Sequence, residues 1–402
     1  MRVGIEFGQD RLEVEVRDRD VIGVSRSAPA EPLADPSAAL RDALENPLGF
    51  PALRRALTPD DHVTVVVDEK LPQLPALVTA ILEHLGAARV APEAVTLLCP
   101  RSGSTQPWLA DLPDAFQEVH VEVHDPANRK HLSYLATTRR GRRLYLNRTA
   151  VDADQLVVLS GWRYDPLLGY SGGEGALYPA LSDEATRQEM CGRLSMAAPG
   201  GVAWPVQREA EEAAWLLGAP FFVHVIEGAG EEIIHVVAGL QDTSAEARRL
   251  LDARWRGTVG KRAETVVASI SGNVERQDFA DLARALACAA RVAQPHGRII
   301  LVTQAAPELG PGAQLVRQSD DPARALTVLN DEKPPDMAAA FQWASSVQKA
   351  KVYLLSGLPA ETAEEFFAIP LENAGQVQRL LANEQSCLFL ADAHKSVVVP
   401  EK

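Results

Sequence analysis

Apolar and polar positions follow two alternating periods along the chain. Short runs of mostly apolar residues at 63–67, 95–99 and 155–159 are typical of strands that are buried on both faces of a parallel sheet. Between the first two runs, residues 74–85 carry apolar side chains at helical spacing. This alternation of strand and helix predicts an α/β fold with open, largely parallel sheets.

The second half of the chain repeats the pattern. Residues 265–270, 298–302 and 350–355 have the apolar, β-branched composition of strands, and residues 279–293 predict an amphipathic helix. A chain of 402 residues also exceeds the usual size of a single core. We therefore predict two α/β domains with a cleft between them.

The predicted domain boundaries follow from where the second series of strands begins. Residues 1–260 are assigned to the first domain and residues 261–390 to the second. Residues 391–402 contain a short apolar run that predicts a last strand. This strand can return to either domain, and we assign it to the first.

Composition narrows the classes of partner. The net charge of -14 argues against a nucleic-acid partner, because binding to phosphates needs a concentrated basic surface. No apolar run reaches the roughly 18–20 residues of a membrane span, and the first residues predict a strand and not a signal peptide. The four cysteines lie far apart, which is typical of free thiols in a reducing compartment, so we expect a cytoplasmic location.

The candidate site lies in three loops. Ligands of open α/β sheets bind beyond the carboxyl ends of the strands, and loops at 68–75, 100–107 and 160–175 leave such ends. In the third loop, Ser-Gly-Gly at 171–173 can present backbone N–H groups to a phosphate or carboxylate. The same glycines are what a tight turn needs, and the neighbouring Glu174 would repel an anion, so both interpretations stay open.

Charged side chains near these loops also allow two interpretations. Asp68, Asp165 and Glu174 would suit a hard metal ion if they converged, whereas such residues are more often caps and solvated loop groups. Arg163 and Tyr164 can orient the carboxylate of a hydroxy acid or simply form an exposed rim.

Several separated motifs carry a specific resemblance. They are Asn-Pro-Leu-Gly at 46–49, Val-Val-Val-Asp at 65–68 with prolines at 72 and 75, Leu-Asn-Arg-Thr at 146–149, Gly-Tyr-Ser-Gly-Gly at 169–173 with a proline at 179, and Pro-Glu-Leu-Gly-Pro-Gly at 307–312. Their order and spacing resemble those of the nickel-dependent lactate racemase family. The resemblance implies two domains, called here lactate racemase-like N-terminal and C-terminal domains.

The resemblance also implies a reaction. Members of known activity interconvert the two hands of 2-hydroxy acids through a nickel pincer on a pyridinium mononucleotide, which accepts a hydride from the substrate carbon. Two histidines, one on each face of the substrate, take up or return the hydroxyl proton, which needs a pKa near neutral. A lysine tethers the cofactor, a histidine binds the nickel, and cations hold the substrate carboxylate.

Most of these chemical groups are replaced in this chain. Arg101 and Asp165 fall at the two catalytic histidines, and Gly175 falls at the tethering lysine. Cys191 falls at the nickel-binding histidine, and a thiolate is a sensible nickel ligand. Glycine cannot form the covalent tether, so we expect the nickel-pincer cofactor not to be bound. Asp68 is retained, and we name it with Arg101 and Asp165 as candidate catalytic residues.

The candidate residues for binding a substrate or another anion are those with a cationic group or a free N–H or O–H near the three loops. Lys70 lies beside the position of a family arginine, and Arg284 lies near that of a family lysine. The full set is Lys70, Arg163, Tyr164, Ser171, Gly172, Gly173 and Arg284.

Three functions are consistent with these residues. The first is a divergent family member that binds or acts on a small 2-hydroxy acid or sugar acid in the cleft, without the tethered cofactor. The second is a non-catalytic pseudoenzyme with a protein-interaction or regulatory role. The third is a true 2-hydroxy acid racemase or epimerase with an unrecognised arrangement of its site.

Overall fold

The computed structural model describes residues 1–18, 21–25, 30–100, 106–199, 204–382 and 386–401. Its strands are β1 (Arg2–Phe7), β2 (Asp10–Glu15), β3 (Val21–Ser25), β4 (Val63–Val67), β5 (Val95–Cys99), β6 (His120–Val123), β7 (Leu132–Thr137), β8 (Arg143–Asn147), β9 (Gln155–Gly161), β10 (Arg163–Asp165), β11 (Gly169–Ser171), β12 (Phe221–Glu227), β13 (Ile233–Gly239), β14 (Arg256–Val259), β15 (Ala263–Ser269), β16 (Ala293–Val302), β17 (Lys351–Leu355), β18 (Ala368–Pro370), β19 (Cys387–Leu390) and β20 (Val397–Pro400). Its α-helices are α1 (Pro36–Glu45), α2 (Leu74–Ala87), α3 (Arg148–Asp152), α4 (Glu184–Cys191), α5 (Pro205–Leu216), α6 (Thr243–Trp255), α7 (Phe279–Val292), α8 (Pro311–Arg317), α9 (Pro322–Glu332), α10 (Met337–Val347), α11 (Ala360–Glu365) and α12 (Ala374–Leu381).

The first large sheet has the strand order β13-β12-β9-β4-β5-β6. All neighbouring pairs are parallel except β12 with β13 at one edge. Every residue of β4 is buried, because apolar clusters cover both faces of the sheet. This burial explains why four of the five residues of the strand are valine and why it shows no regular polar alternation.

The second large sheet has the order β18-β17-β16-β15-β19-β3, and every pair in it is parallel. Helix α7 packs on one face together with α10, whose Trp343 lies against Phe279. A second apolar cluster, from the β1–β2 hairpin and α12, covers the other face. The predicted α/β fold with open, largely parallel sheets is therefore confirmed.

Two short segments connect the halves of the chain. Strand β3 pairs with β19, and the β1–β2 hairpin packs against Val267 and Ile300 of the second sheet. Near the C-terminus, β20 pairs in parallel with β14. These pairings favour a division in which residues 1–25 accompany 261–390, although our sequence-based boundaries placed them in the first domain. Edge strands are short, and their apolar pattern fits either sheet equally well.

The carboxyl ends of strands from both large sheets border one cleft. Asp68 follows β4 and Arg163 follows β9, while Gln304 follows β16 of the second sheet, and all three line it. Strand ends of this kind are where open α/β sheets bind ligands. No helix in the described ranges is long and apolar enough to cross a membrane.

Candidate functional site

The largest opening of the cleft, called here the outer cleft, has a volume of about 1080 Å³. The first sheet contributes Asp68, Lys70, Arg163 and Ser171 to its wall, and helix α7 contributes Arg284. These five residues were predicted from the sequence and come from three separate stretches of the chain. The fold therefore brings them to one opening.

Behind the outer cleft lies a narrow cavity of about 40 Å³, called here the inner chamber. Its described lining carries five cationic side chains, those of Lys70, Arg163, Arg276, Arg284 and Lys395. Three carboxylates, those of Glu227, Glu231 and Asp281, share it with the imidazole of His394. Cations thus outnumber carboxylates on the wall of a cavity between the two sheets.

Arg163 holds the first-sheet side of the chamber together. Its Nη1 donates to Asp68 Oδ2 at 2.6 Å, and its Nη2 donates to Glu227 Oε1 at 2.7 Å. Burial opposes the charge of Asp68, but Arg163 outweighs it and keeps the pKa of this carboxyl below its ordinary value. Asp68 also accepts hydrogen bonds from the backbone N–H groups of Lys70 and Gly161. It is therefore an ionised anchor that is poorly suited to act as a base.

Glu227 links this arginine to the C-terminal turn. Lys395 Nζ lies 3.2 Å from Glu227 Oε2 and donates to the carbonyl oxygens of Gly228 and Gly230. Burial alone would raise the pKa of Glu227, but Lys395 and Arg163 together hold it at about 2. The pair fixes the turn after β19 against the end of β12.

Helix α7 forms the opposite wall. Its first turn has a capping box in which Asp278 accepts from the N–H of Asp281 and Asp281 accepts from the N–H of Asp278. The ammonium of Lys70 lies 2.5 Å from Asp278 Oδ2 and 3.5 Å from Asp281 Oδ2. Arg284, one turn further on, pairs with Asp281. Within the described part of the chain, Arg284 Nε is buried without a hydrogen-bond partner.

Asp165 has a structural role in a tight turn. Its Oδ1 accepts from the backbone N–H groups of Leu167 and Leu168, both at 2.8 Å. Burial raises its pKa, and the two N–H groups oppose this. Asp165 also lines a third cavity of about 10 Å³, called here the terminal pocket, to which Arg284 and His394 contribute.

Tyr164 is directed away from the outer cleft. Its hydroxyl donates to Asp252 Oδ1 at 2.8 Å, and the hydroxyl of Tyr170 donates to the other oxygen of the same carboxylate. Burial and the neighbouring Asp252 both raise the pKa of Tyr164. The pair of tyrosines therefore clamps the β10–β11 hairpin to helix α6.

The Ser-Gly-Gly segment is a tight turn. Gly172 has φ +99°, and a Cβ on it would lie 2.6 Å from the carbonyl oxygen of Gly161. The N–H of Gly173 is occupied by Ser160 Oγ at 2.8 Å. The helical turn that follows, Gly173–Ala176, is only four residues long. Of our two interpretations, the turn is the one that the geometry favours, and Ser171 alone of the three reaches the outer cleft.

The remaining predicted residues lie elsewhere. A Cβ on Gly175 would meet Leu168 Cδ1 at 2.8 Å, within an apolar cluster. Cys191 ends α4 and packs beside the apolar core of the second sheet, where burial raises the pKa of its thiol. Neither residue lines the cavities described above. Arg101 lies outside the described residues.

Several residues of the inner chamber were missed in the sequence, among them Glu227, Arg276, His394 and Lys395. A usable signal existed for His394 and Lys395, because a stretch with four polar residues, 391–396, follows the carboxyl end of the apolar run 387–390. Strand ends of this kind carry ligand sites, so the turn belonged among the candidate loops.

The fold and the site define a class: a two-sheet α/β protein with a cationic chamber between its halves. Residues 7–196 match the family model described as the lactate racemase N-terminal domain. The lactate racemase of Thermoanaerobacterium thermosaccharolyticum is 22% identical over 430 residues, spanning 100% of this chain and 99% of the relative. The chain is thus related to the lactate racemase family, as its motifs predicted.

Solved structures extend the likeness of the fold to the whole chain. The lactate racemase apoprotein of Thermoanaerobacterium thermosaccharolyticum superposes with a TM-score of 0.83 at 20% identity, covering 100% of both chains. A Thermotoga maritima protein superposes with a TM-score of 0.69 at 14% identity, covering 93% of this chain and 100% of the other. At such identities the likeness shows the architecture and leaves the chemistry to the residues.

The residues present do not fit the tethered nickel cofactor of the family. Position 175 has no amine, and Leu168 occupies the space beside its Cα. The carboxylate of Asp165 is bound to its own turn, and the thiol of Cys191 is protonated among apolar side chains. The described residues contain no group of three or more His, Cys, Asp or Glu side chains that could hold a metal ion.

Proposed function

We propose that this protein binds a small organic acid, of the 2-hydroxy acid or sugar acid class, in the cleft between its two sheets. The observation that carries the proposal is the group of five cationic side chains on the wall of the inner chamber, where Arg284 Nε is buried without a hydrogen-bond partner in the described structure. Carboxylates form their strongest hydrogen bonds with such cationic donors. Each of the five cations also pairs with a carboxylate of the protein, so a ligand would bind through donor atoms that these pairs leave unused, such as Arg284 Nε.

In this proposal, the outer cleft and the inner chamber bind different parts of such a ligand. The outer cleft of about 1080 Å³ is wide enough for the chain or ring of a polyhydroxylated acid, and its wall offers Ser171 as a hydrogen-bonding partner. The inner chamber of about 40 Å³ admits only a small charged group. The acid group therefore enters first in this proposal, and the hydroxylated part remains in the outer cleft.

The name of the relative supports the ligand class. The related Thermoanaerobacterium protein is a lactate racemase, and lactate is a small 2-hydroxy acid. The tethered cofactor is not part of the proposal for this chain, because its attachment position is Gly175. Cysteines that lie far apart in the sequence favour a cytoplasmic location, and the net charge of -14 disfavours a nucleic-acid partner.

A second candidate function is a binding protein without turnover. The observation in its favour is that Asp68 and Asp165 are both held by structural hydrogen bonds. Neither carboxylate is then free to take a proton from a substrate. In this version the cleft senses or carries the acid, and the protein has a regulatory role.

Calorimetric titration with D-lactate, L-lactate, glycolate and gluconate tests the proposal. We expect at least one of these acids to bind at millimolar concentration or better, and Arg284→Gln to weaken that binding by about tenfold or more. Arg249→Gln is the matched control, because Arg249 lies on the exposed face of α6 and pairs only with Glu246 in the described structure. The absence of binding by all four acids would reject the proposal.

Assays for turnover then separate the two versions. Conversion of a bound acid that Asp68→Asn abolishes would reject the binding-protein version. Binding without any change in the acid would support it.

A further inference from the structure

The inner chamber contains an imidazole, that of His394, which the proposed function has not used. His394 is only 8% exposed, and its Nδ1 is buried without a hydrogen-bond partner in the described structure. A buried ring nitrogen of this kind loses its hydrogen bonds to water without compensation, which costs free energy. A hydrogen-bonding partner from outside the protein, either a ligand or a water molecule, would remove this cost.

The surroundings of His394 define the charge of that partner. Lys395 and Asp392 flank it on the C-terminal turn, and Asp281 and Arg284 face it from α7. Burial, then Lys395, lower its pKa to about 4, so the ring is neutral near pH 7. A neutral imidazole beside the cations Lys395 and Arg284 can donate one hydrogen bond to an anion.

The turn that carries His394 is fixed from both sides. Asp392 Oδ1 accepts from the N–H and the hydroxyl of Ser271 at the end of β15. Lys395 Nζ is bound to two carbonyl oxygens after β12 and to Glu227. The imidazole is consequently held between the two sheets by its neighbours in sequence, which preorganises Nδ1 for a ligand.

The size of the cavities indicates what fits there. A water molecule needs a cavity of roughly 10–15 Å³, so the inner chamber of about 40 Å³ holds about three water-sized atoms. That is the size of a carboxylate group. The terminal pocket of about 10 Å³ holds at most about one such atom. Arg284 and His394 line both cavities. A ligand group that enters the inner chamber would therefore lie beside these two side chains.

We propose that His394 is a ligand-contacting residue, whose Nδ1–H donates a hydrogen bond to an oxygen atom of a carboxylate-sized oxyanion in the inner chamber. This inference rests on the proposed function for the identity of the ligand as an organic acid. The same chemistry would serve inorganic phosphate, so the experiment includes both. The competing explanation is a single structural water in the terminal pocket.

Two replacements distinguish the ring nitrogens. The side-chain amide of asparagine reaches the position of Nδ1, whereas that of glutamine reaches the position of Nε2. We expect His394→Gln to weaken binding of the acid by roughly tenfold or more, and His394→Asn to retain most of the affinity. His62→Gln is the matched control, because the side chain of His62 is 79% exposed. Equal affinity of wild type and His394→Gln would overturn the proposal.

A measurement on the wild-type chain covers the case in which a variant does not fold. In protein labelled with ¹⁵N at its nine histidines, addition of acetate, lactate or phosphate should shift the Nδ1 signal of one ring that stays neutral at pH 7. Saturation without such a shift would show that Nδ1 meets only water and would overturn the proposal.

These experiments distinguish a failure of the His394 contact from a failure of the proposed function. If an organic acid binds wild type and His394→Gln equally, only the contact is rejected. If phosphate binds and shifts the ring while no organic acid binds, the contact stands and the proposed function is rejected. If neither binds, both are rejected.

Discussion

Arg163 shows how one side chain determines the character of the site. It lies between Asp68 and Glu227, and all three side chains are less than one-fifth exposed. The sequence indicated a residue that would orient a substrate carboxylate. The structure places the guanidinium between two carboxylates of the protein itself. Its first role is therefore to stabilise these two buried carboxylates in their ionised form.

Replacing Arg163 by methionine should therefore be costly. We expect Arg163→Met to lower the free energy of unfolding by about 3 kcal/mol or more, because Asp68 loses its cationic partner and Glu227 keeps only Lys395. Urea denaturation measures this change. Arg2→Met is the control, since Arg2 and Glu15 are each more than two-thirds exposed, and we expect less than about 0.5 kcal/mol there. Equal losses in the two variants would contradict the argument.

Glu227 should make stability sensitive to acid. Its pKa in the folded protein is about 2, against an ordinary value of 4.5, so the unfolded chain takes up the proton first as the pH falls. The stabilisation that Glu227 provides is complete above about pH 4.5 and is lost as the pH falls towards about 2. We expect Glu227→Gln to reduce the slope of unfolding free energy against pH in this window.

Urea denaturation at several pH values between 2 and 6 tests the expectation for Glu227. Glu13→Gln is the control, because Glu13 is exposed on β2, and its slope should equal that of the wild type. An unchanged slope in Glu227→Gln would show that another carboxylate determines the acid sensitivity.

At the scale of elements, the β10–β11 hairpin and the turn after it contain the Ser-Gly-Gly motif. The conformation of its backbone, and not its N–H donors, explains the glycines. From the sequence, the Ser-Gly-Gly segment was a candidate anion-binding site. In the structure, its glycines allow the chain to turn tightly against β9. The hairpin is then fastened by Asp252 through two tyrosines. The segment contributes Ser171 to the wall of the outer cleft.

Gly172 should not tolerate a side chain. Its φ is +99°, and the carbonyl oxygen of Gly161 lies 2.6 Å from the position that a Cβ would take. We therefore expect Gly172→Ala to lower the unfolding free energy by more than about 1 kcal/mol. Gly86→Ala, in the exposed part of α2 with open space around it, should instead raise it by about 0.5–1 kcal/mol. Thermal denaturation of both variants makes the comparison, and destabilisation of similar size in both would contradict it.

At the scale of the whole molecule, the chain termini join the two halves. Strand β20 directs Val397 into the cluster of Trp162 and Trp255, and Val398 into the core of the second sheet. Both valines are at most 1% exposed. A strand whose alternate side chains belong to different cores couples their unfolding.

Removal of β20 should uncouple the two halves. We expect the full chain to unfold in one calorimetric transition, and a chain ending at residue 395 to show two, because each core loses a shared strand. Val397→Ala keeps the strand and should lower the transition temperature without splitting it. A single transition in the shortened chain would show that the remaining contacts across the cleft suffice for coupling.

Much of the architecture was accessible from the sequence because it depends on local pattern. The buried strands β4, β5 and β9 and the helix α2 are long or strongly apolar, so their period identifies them. The motifs and their order likewise predicted the family and the cleft. Five candidate residues, from Asp68 to Arg284, do meet at one opening.

The partners of those residues were decided only by the tertiary structure. Whether a carboxylate is a base or an anchor depends on which cation lies within hydrogen-bonding distance, and Arg163 is 95 residues from Asp68 in sequence. The placement of β3 in the second sheet and of His394 in the inner chamber depends on pairings between distant segments. Periodicity along the chain reports burial, whereas the charge and pKa of a buried group are set by neighbours that only folding brings together.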